Sequence, residues 1–203
     1  FSLGETLVAL AYMASLFMSL LVPLYLEGVA SYTPFIAGCA CTMPILCYAT
    51  ACFPSGRLLE KHGVWPLIPL GFAIVLAGSV GMFLASSQMV IVVFLACAAL
   101  AYAGIGIFFP ALKSENLSSL PEDISSHGSS IHSTIVQIGS SVSSALFVGI
   151  TSAHVSSLMA AGVSRPHAYA ESFSTTVLIE IGILAVAIVL AVIYARYVKS
   201  HAQ

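Results

Sequence analysis

Six long apolar runs make up most of the chain, and short polar stretches separate them. Each run is close to the roughly 20 helical residues that a bilayer core requires. The apolar positions are continuous rather than alternating, so a membrane β-barrel is not indicated. The pattern predicts an all-α membrane protein, a single domain over 1–203, with six transmembrane helices over residues 7–26, 35–53, 64–84, 89–109, 131–150 and 173–194.

Composition narrows the class of protein. Apolar residues make up 59 % of the chain and charged residues only 7 %, with a mean hydropathy of +1.04. A soluble globule of this size could not cover its surface with so few polar groups, so lipid is expected as a partner. The net charge of -2, without a basic cluster, argues against binding to nucleic acid. The five cysteines show no ligand spacing, and we expect neither a metal nor a cofactor.

The positions of the cations predict the orientation in the membrane. Lys and Arg are retained on the cytoplasmic side of membrane proteins. Five of the six fall after the second, fourth or sixth run, namely Arg57, Lys61, Lys113, Arg196 and Lys199, and Arg165 lies opposite. We therefore expect a multi-pass protein of the plasma membrane, the inner membrane in a bacterium, with both ends of this segment cytoplasmic. The chain begins at Phe1, without Met, and is interpreted as part of a longer protein.

The most charged stretch in the first half is "PSGRLLEKHG", between the second and third runs. We expect a tight loop, with Gly56 and Gly63 free to adopt positive φ and Glu60 able to pair with Arg57 or Lys61. A topology anchor is the alternative interpretation. The pattern G-R-L-x-[DE]-[KR]-x-G resembles the loop motif of the major facilitator superfamily, in which these residues hold the cytoplasmic side of the transporter closed.

Two other stretches carry the same resemblance. "LVPLYLEGVASYTPFIAGCACTMP" and "GIGIFFPALKSENLSSLPEDISSHGSSIHSTIVQIGSSVSSALFVGI" are similar to sequences of the fourteen-helix drug:proton antiporter branch. The resemblance implies the C-terminal six-helix half of a transporter whose N-terminal half lies outside this chain. It implies proton-coupled export of a small amphipathic substrate by alternating access. In the polar connection, Pro121, Glu122 and Asp123 could start a short surface helix.

Other functions remain open. An uptake permease of another branch would need only a different substrate cavity, and a channel or scaffold subunit is the alternative from a different class. An enzyme is not expected, because Asp123 is the only aspartate in the chain and no HExxH motif is present.

The resemblance implies that the first, second, fourth and fifth helices line the substrate cavity. Polar residues on these helices are the candidates, although a membrane Ser or Thr can instead bond to its own helix. On the fifth helix the candidates recur at spacings of four and three, which puts them on one face. The candidates are Tyr12, Ser19, Thr42, Tyr48, Tyr102, Gln137, Ser141 and Ser144.

Two titratable residues are candidates for proton coupling. Glu180 is a carboxylate well inside the sixth run, where an ionised form would cost several kcal/mol, so it should be protonated or paired. A structural hydrogen bond or snorkelling to the interface is the alternative. His132 lies near the start of the fifth run, where an interfacial polar residue is the alternative.

Overall fold

The computed structural model describes residues 2–118 and 125–201, and this part of the chain is almost entirely helical. The all-α fold with six apolar helices is confirmed, and each helix contains a segment long and apolar enough to cross a membrane. The region of Pro121, Glu122 and Asp123 lies outside the described residues. The helices are α1 Ser2–Val29, α2 Pro34–His62, α3 Val64–Gln88, α4 Ile91–Ser118, α5 Ser125–Ala160 and α6 Arg165–His201.

The helices are longer than the apolar runs predicted. α2 continues to His62 instead of ending at residue 53, and α5 and α6 leave only a short turn where a long connection over 151–172 was expected. Gly162 adopts a φ of 85° in that turn. The apolar boundary marks where side chains leave hydrocarbon, whereas a helix continues until its backbone meets a breaker. Leu, Glu and Lys at the end of α2 are all good helix formers, so nothing stops the helix there.

The contacts between helices place α1 near the centre of the bundle. α1 contacts α5, α6, α4 and, less extensively, α2, while α3 packs mainly on α4 and α6. α2 packs chiefly on α4, and α4 and α5 touch only weakly. The core contains stacked and edge-on aromatic rings, including Phe17 against Phe147 at 5.0 Å and Phe72 against Phe108 at 4.3 Å.

Glycines allow α4 to approach both α2 and α3 closely. A Cβ atom on Gly104 would lie 2.8 Å from the backbone oxygen of Gly71 and the nitrogen of Val75. A Cβ atom on Gly106 would lie 2.6 Å from the carbonyl oxygen of Tyr48. Close packing through small residues is the usual means of helix association in lipid. α4 is therefore held tightly between its two neighbours.

The helices alternate in direction, so the bundle has two distinct ends. We call the end that carries Arg57 and Gly63 the motif end; Ser55 of α2 contacts Ile107 of α4 there. We call the opposite end the far end; there the Tyr25 hydroxyl donates to the carbonyl oxygen of Ser86 at 3.3 Å. Polar contacts therefore join the helices at both ends of the apolar bundle.

Candidate functional site

A stripe of partly exposed polar residues follows α1, which contacts both α4 and α5, while α4 and α5 touch each other only weakly. Tyr12, Ser15 and Ser19 follow one another at spacings of three and four residues, and all three stay at least partly exposed. The other faces of α1 are buried, with Phe17 and Leu21 completely enclosed. We call this stripe, together with the facing side chains of α2, α4 and α5, the α1 groove.

Aromatic side chains form the wall of the α1 groove on α4 and α2. Tyr12 packs edge-on against Phe109, with ring centroids 4.7 Å apart. Tyr102 lies near Ser19, and Tyr48 lies near Tyr12. The three tyrosines are half-buried. Four of the predicted cavity residues, from α1, α2 and α4, thus lie near one another in two pairs.

The polar candidates on α5 are exposed. They are Gln137, Ser141 and Ser144. The opposite face holds α5 on α1, where the Ser143 hydroxyl donates to the carbonyl oxygen of Met13 at 3.1 Å. The Ser141 hydroxyl donates to the carbonyl oxygen of Gln137 at 2.9 Å, which is the own-helix bond of the alternative interpretation.

Thr42 stands apart from this group. It is exposed on α2, and its hydroxyl donates to the carbonyl oxygen of Gly38 one turn earlier, at 3.3 Å. No contact described for Thr42 joins it to the three tyrosines. The own-helix bond of the alternative interpretation is therefore what the structure provides at this position.

A buried polar pair closes the groove at the motif end. His132 Nδ1 of α5 lies 3.2 Å from Glu5 Oε1 of α1, with both side chains at most one-tenth exposed. His132 also borders a cleft of about 10 Å³, enough for one water molecule, together with Tyr12 and Lys113. From α6, Tyr194 comes close enough to Glu5 to interact with it.

The sequence analysis missed Glu5. The residue lies before the predicted start of the first span, where an acidic side chain also suits the positive end of a helix dipole. Its partner is 127 positions away, so nothing local in the sequence pointed to the contact. A lone carboxylate just outside an apolar run was the only available signal.

The charged motif is helical rather than a loop. Residues 56–62 form the last turns of α2, and Gly63 ends the helix with a φ of 73°, its N–H donating to the carbonyl oxygen of Leu59 at 2.9 Å. The prediction of positive φ is therefore confirmed for Gly63 and wrong for Gly56, which lies within the helix. Strong helix formers between the two glycines account for the difference.

The side chains of the motif face outward. Arg57, Glu60 and Lys61 are exposed, and among the side chains described here no ion pair joins Glu60 to either cation. The structure therefore does not show the ion pair expected for Glu60. Exposed ion pairs contribute little to protein stability. The preceding residue, Ser55, is 1 % exposed, and its hydroxyl donates to the carbonyl oxygen of Ile107 at 2.7 Å. This anchor, also missed from the sequence, fixes the motif to α4.

Glu180 lies inside the bundle, between α6 and α3. The residue is 1 % exposed, and its Oε2 accepts a hydrogen bond from the Ser79 hydroxyl at 3.4 Å. Snorkelling to the interface is therefore wrong, and the alternative of a structural hydrogen bond is supported. The site lies away from the α1 groove. Within the described residues, no three His, Cys, Asp or Glu side chains come together as metal ligands.

Comparison with known proteins places the chain in a family. The sequence profile of the Major Facilitator Superfamily matches residues 4–144. The riboflavin transporter RibZ of Clostridioides difficile (strain 630) is 25 % identical over 147 residues, which is 72 % of this chain and 32 % of that protein. The chain thus spans about a third of the length of this relative. With six apolar helices and a profile match over most of its length, this multi-pass membrane chain belongs to the major facilitator superfamily.

Proposed function

We propose that this chain is the C-terminal half of a secondary transporter, and that a small amphipathic compound passes along the α1 groove. The main support is that Tyr12, Ser19 and Tyr102 are polar residues that remain at least partly exposed along the α1 groove, while most of the bundle is apolar. In secondary transporters, polar groups near the midplane between two bundles bind the substrate while the bundles rock around it. The missing N-terminal half would supply the other bundle.

The groove favours an aromatic substrate with hydroxyl or amide groups. Three tyrosine rings offer apolar faces and phenolic hydroxyls, and Gln137 and Ser144 add donors and acceptors from α5. Aromatic rings attract one another most in offset or edge-on arrangements, which such a wall could provide. The charged residues described at the groove lie at its motif end. Riboflavin, a flat ring system with a hydroxylated chain, fits this chemistry, and the relationship to a riboflavin transporter supports it.

We further propose proton-coupled transport in the manner of the fourteen-helix drug:proton antiporters, with export of amphipathic compounds. The stretches of sequence similar to that branch support this part of the proposal. Transport of riboflavin is the second candidate function, supported by the 25 % identity to RibZ. The two candidates share the groove and differ in substrate and direction.

The exposed apolar faces suit a partner bundle as well as lipid. On α2, Phe35 and Phe53 are 79 % and 81 % exposed, and on α5 Ile138 is 58 % exposed. Next to the polar groove, these faces are suited to contact the N-terminal half. α6 exposes Val186 and Val189 on the side that would face lipid.

The motif end is proposed to face the cytoplasm of the cell, in the plasma membrane. Arg57, Lys61, Lys113 and Arg196 all lie at helix ends on this side, as the retention of cations inside the cell requires. The exposed Arg57, Glu60 and Lys61 are then free to pair with the N-terminal half in the closed state. The Ser55 anchor would hold the end of α2 in place for that contact.

Transport by the full-length protein in proteoliposomes tests the proposal. We expect uptake or release of riboflavin, or of a fluorescent amphipathic dye, in response to an imposed proton gradient, and loss of this movement when the gradient is collapsed. Tyr102→Leu should reduce transport while Tyr32→Leu, a change outside the groove, should not. Equal transport by both variants would contradict the role of the groove, and gradient-independent leakage would favour a channel.

A further inference from the structure

A buried line of hydrogen-bonding side chains follows one face of α6. Ser172, Thr176 and Glu180 are spaced by four residues, so each lies one turn from the next on the same face. The first two are fully buried and Glu180 is 1 % exposed. The outward face of the same helix carries exposed apolar residues, including Leu178. The polar line therefore points into the bundle and away from lipid.

Hydroxyl groups from neighbouring helices extend this line. The Thr176 hydroxyl donates to the carbonyl oxygen of Ser172 at 2.8 Å, and its oxygen lies 2.9 Å from Thr151 Oγ1 of α5, from which it accepts. Ser79 of α3 donates to Glu180 Oε2 at 3.4 Å. The line therefore joins three helices through uncharged groups that can both donate and accept hydrogen bonds.

Two atoms of the line have no partner within the described residues. They are Glu180 Oε1 and Ser172 Oγ. Buried polar atoms almost always form hydrogen bonds with protein or ordered water, so each such atom requires an explanation. Successive side chains of the line are one helical turn apart, a rise of about 5.4 Å, and a bridging water molecule would supply the partner that each atom requires. We interpret the two atoms as water-binding positions in a continuous hydrogen-bonded path.

The path meets a cavity at the far end of the bundle. Thr151, Ser152, Ser156 and Tyr169, together with apolar Leu24 and Val155, line a cavity of about 120 Å³. A water molecule requires about 10–15 Å³ of such space, so several fit. Thr151 belongs both to the cavity wall and to the contact with Thr176. Water in the cavity would thus lie one hydroxyl pair away from the buried line.

We propose that Glu180 binds and releases a proton that reaches it from the far-end cavity through Thr151 and Thr176. On release, the proton leaves the carboxyl group for a water molecule of the line, and the remaining carboxylate keeps the hydrogen bond from Ser79. On binding, the reverse transfer restores the carboxylic acid. Hydroxyl groups and water can pass a proton along because each accepts one proton as it donates another. For Thr176 this requires its hydroxyl to turn from the carbonyl oxygen of Ser172 towards a water molecule of the line while it accepts from Thr151.

The surroundings of Glu180 are compatible with this exchange. The groups described as facing it are uncharged: Ser79 from α3 and, one turn away, the hydroxyl pair with Thr151 of α5. From α1, the titratable Tyr25 is bonded to the carbonyl oxygen of Ser86 at the far end. Among the described residues, no contact joins Glu180 to a cation that would keep its carboxyl group ionised. An acid in such a position of a membrane protein is commonly functional.

Coupling of this proton to transport rests on the proposed function, whereas the binding of the proton to Glu180 does not. In a transporter that exchanges substrate for protons, Glu180 would load from the far-end side. Glu180→Gln would then retain exchange of substrate against substrate but lose accumulation driven by a proton gradient. A purely structural role would survive this change, because Gln can still accept the hydrogen bond from Ser79.

Infrared spectroscopy of the full-length protein in liposomes tests the binding directly. The difference between wild type and Glu180→Gln should contain the C=O band of a protonated carboxyl group, which shifts when the sample is transferred to D₂O. Thr176→Val should slow this shift, whereas Thr176→Ser, which keeps a hydroxyl, should not. Thr175→Val is the matched control, because Thr175 is exposed and bonds to the carbonyl oxygen of Glu171.

The outcomes are distinguishable. If the carboxyl band is absent, does not exchange, or exchanges equally fast in Thr176→Val, the proton path is wrong. If wild-type protein moves no substrate, the proposed function is wrong, and the infrared measurement still tests proton binding by Glu180. If wild type accumulates substrate and Glu180→Gln does so equally under a proton gradient, the coupling role is wrong.

Discussion

The contact between α3 and α4 provides a stringent test of the helix packing. At Gly78 of α3, an added Cβ atom would lie 2.7 Å from both the Cβ and the backbone nitrogen of Ala101. It would also lie 2.8 Å from the carbonyl oxygen of Cys97. Two of these three atoms belong to the backbone, so no change of rotamer relieves the contact. Gly78→Ala must therefore push the two helices apart.

The expected loss of stability follows from two opposing effects. Overpacking of a tight core costs about 1–3 kcal/mol, and contacts with backbone atoms favour the upper part of that range. Alanine is preferred over glycine in a helix by up to about 1 kcal/mol. We therefore expect Gly78→Ala to lower the free energy of unfolding by roughly 1–2 kcal/mol.

Gly182 is the matched control. It also lies within a helix, α6, but a Cβ atom there would meet nothing within 4 Å. Gly182→Ala should leave stability unchanged or raise it by up to about 1 kcal/mol. The measurement is the free energy of unfolding of each full-length variant in detergent micelles, from a titration with denaturing detergent followed by circular dichroism. Equal stability of the two variants would refute the close approach of α3 and α4.

Three further predictions concern the motif end. His132→Ala should cost about 1.5–3 kcal/mol in the same unfolding assay, because it removes a buried hydrogen bond to a carboxylate; the exposed His167→Ala should cost less than about 0.5 kcal/mol. Ser55→Ala should cost about 0.5–1.5 kcal/mol and make the end of α2 exchange its amide hydrogens faster, and unchanged exchange would argue against the anchor. Gly63→Ala should cost about 1–3 kcal/mol, since its φ of 73° and ψ of 179° suit only glycine. Gly56→Ala, within the helix, should be neutral or stabilising. A larger loss of stability for Gly56→Ala than for Gly63→Ala would contradict the positions of the two glycines.

The sequence predicted the number and location of the helices well, because lipid imposes a simple rule of length and polarity. It could not predict where the helices end, since α2 continues past its last apolar residues to His62. Whether a helix continues there depends on local propensity and on contacts such as that of Ser55 with α4. A plot of hydropathy along the sequence shows neither the helix propensity nor the contacts.

The candidate site was predicted in part. Tyr12, Tyr48 and Tyr102 were proposed from the arrangement implied by the family resemblance; the structure places Tyr48 near Tyr12 and Tyr102 near Ser19, and their role in a cavity stays a prediction. The partner of His132 was not predicted, because Glu5 is distant in sequence and lies outside the predicted span. Contacts between helices depend on rotation about each helix axis, and the weak periodicity of nearly uniform apolar segments does not determine that rotation.

Access of water to the α1 groove tests the central claim most directly. The measurement is labelling of single-cysteine variants of the full-length protein by a water-soluble maleimide, in a background without its native cysteines, with and without riboflavin or the transported dye. Ser19→Cys should be labelled, and the transported compound should protect it, whereas Val186→Cys on the lipid-facing side of α6 should stay unlabelled. No labelling at position 19, or labelling that the transported compound does not reduce, would contradict a substrate path along α1.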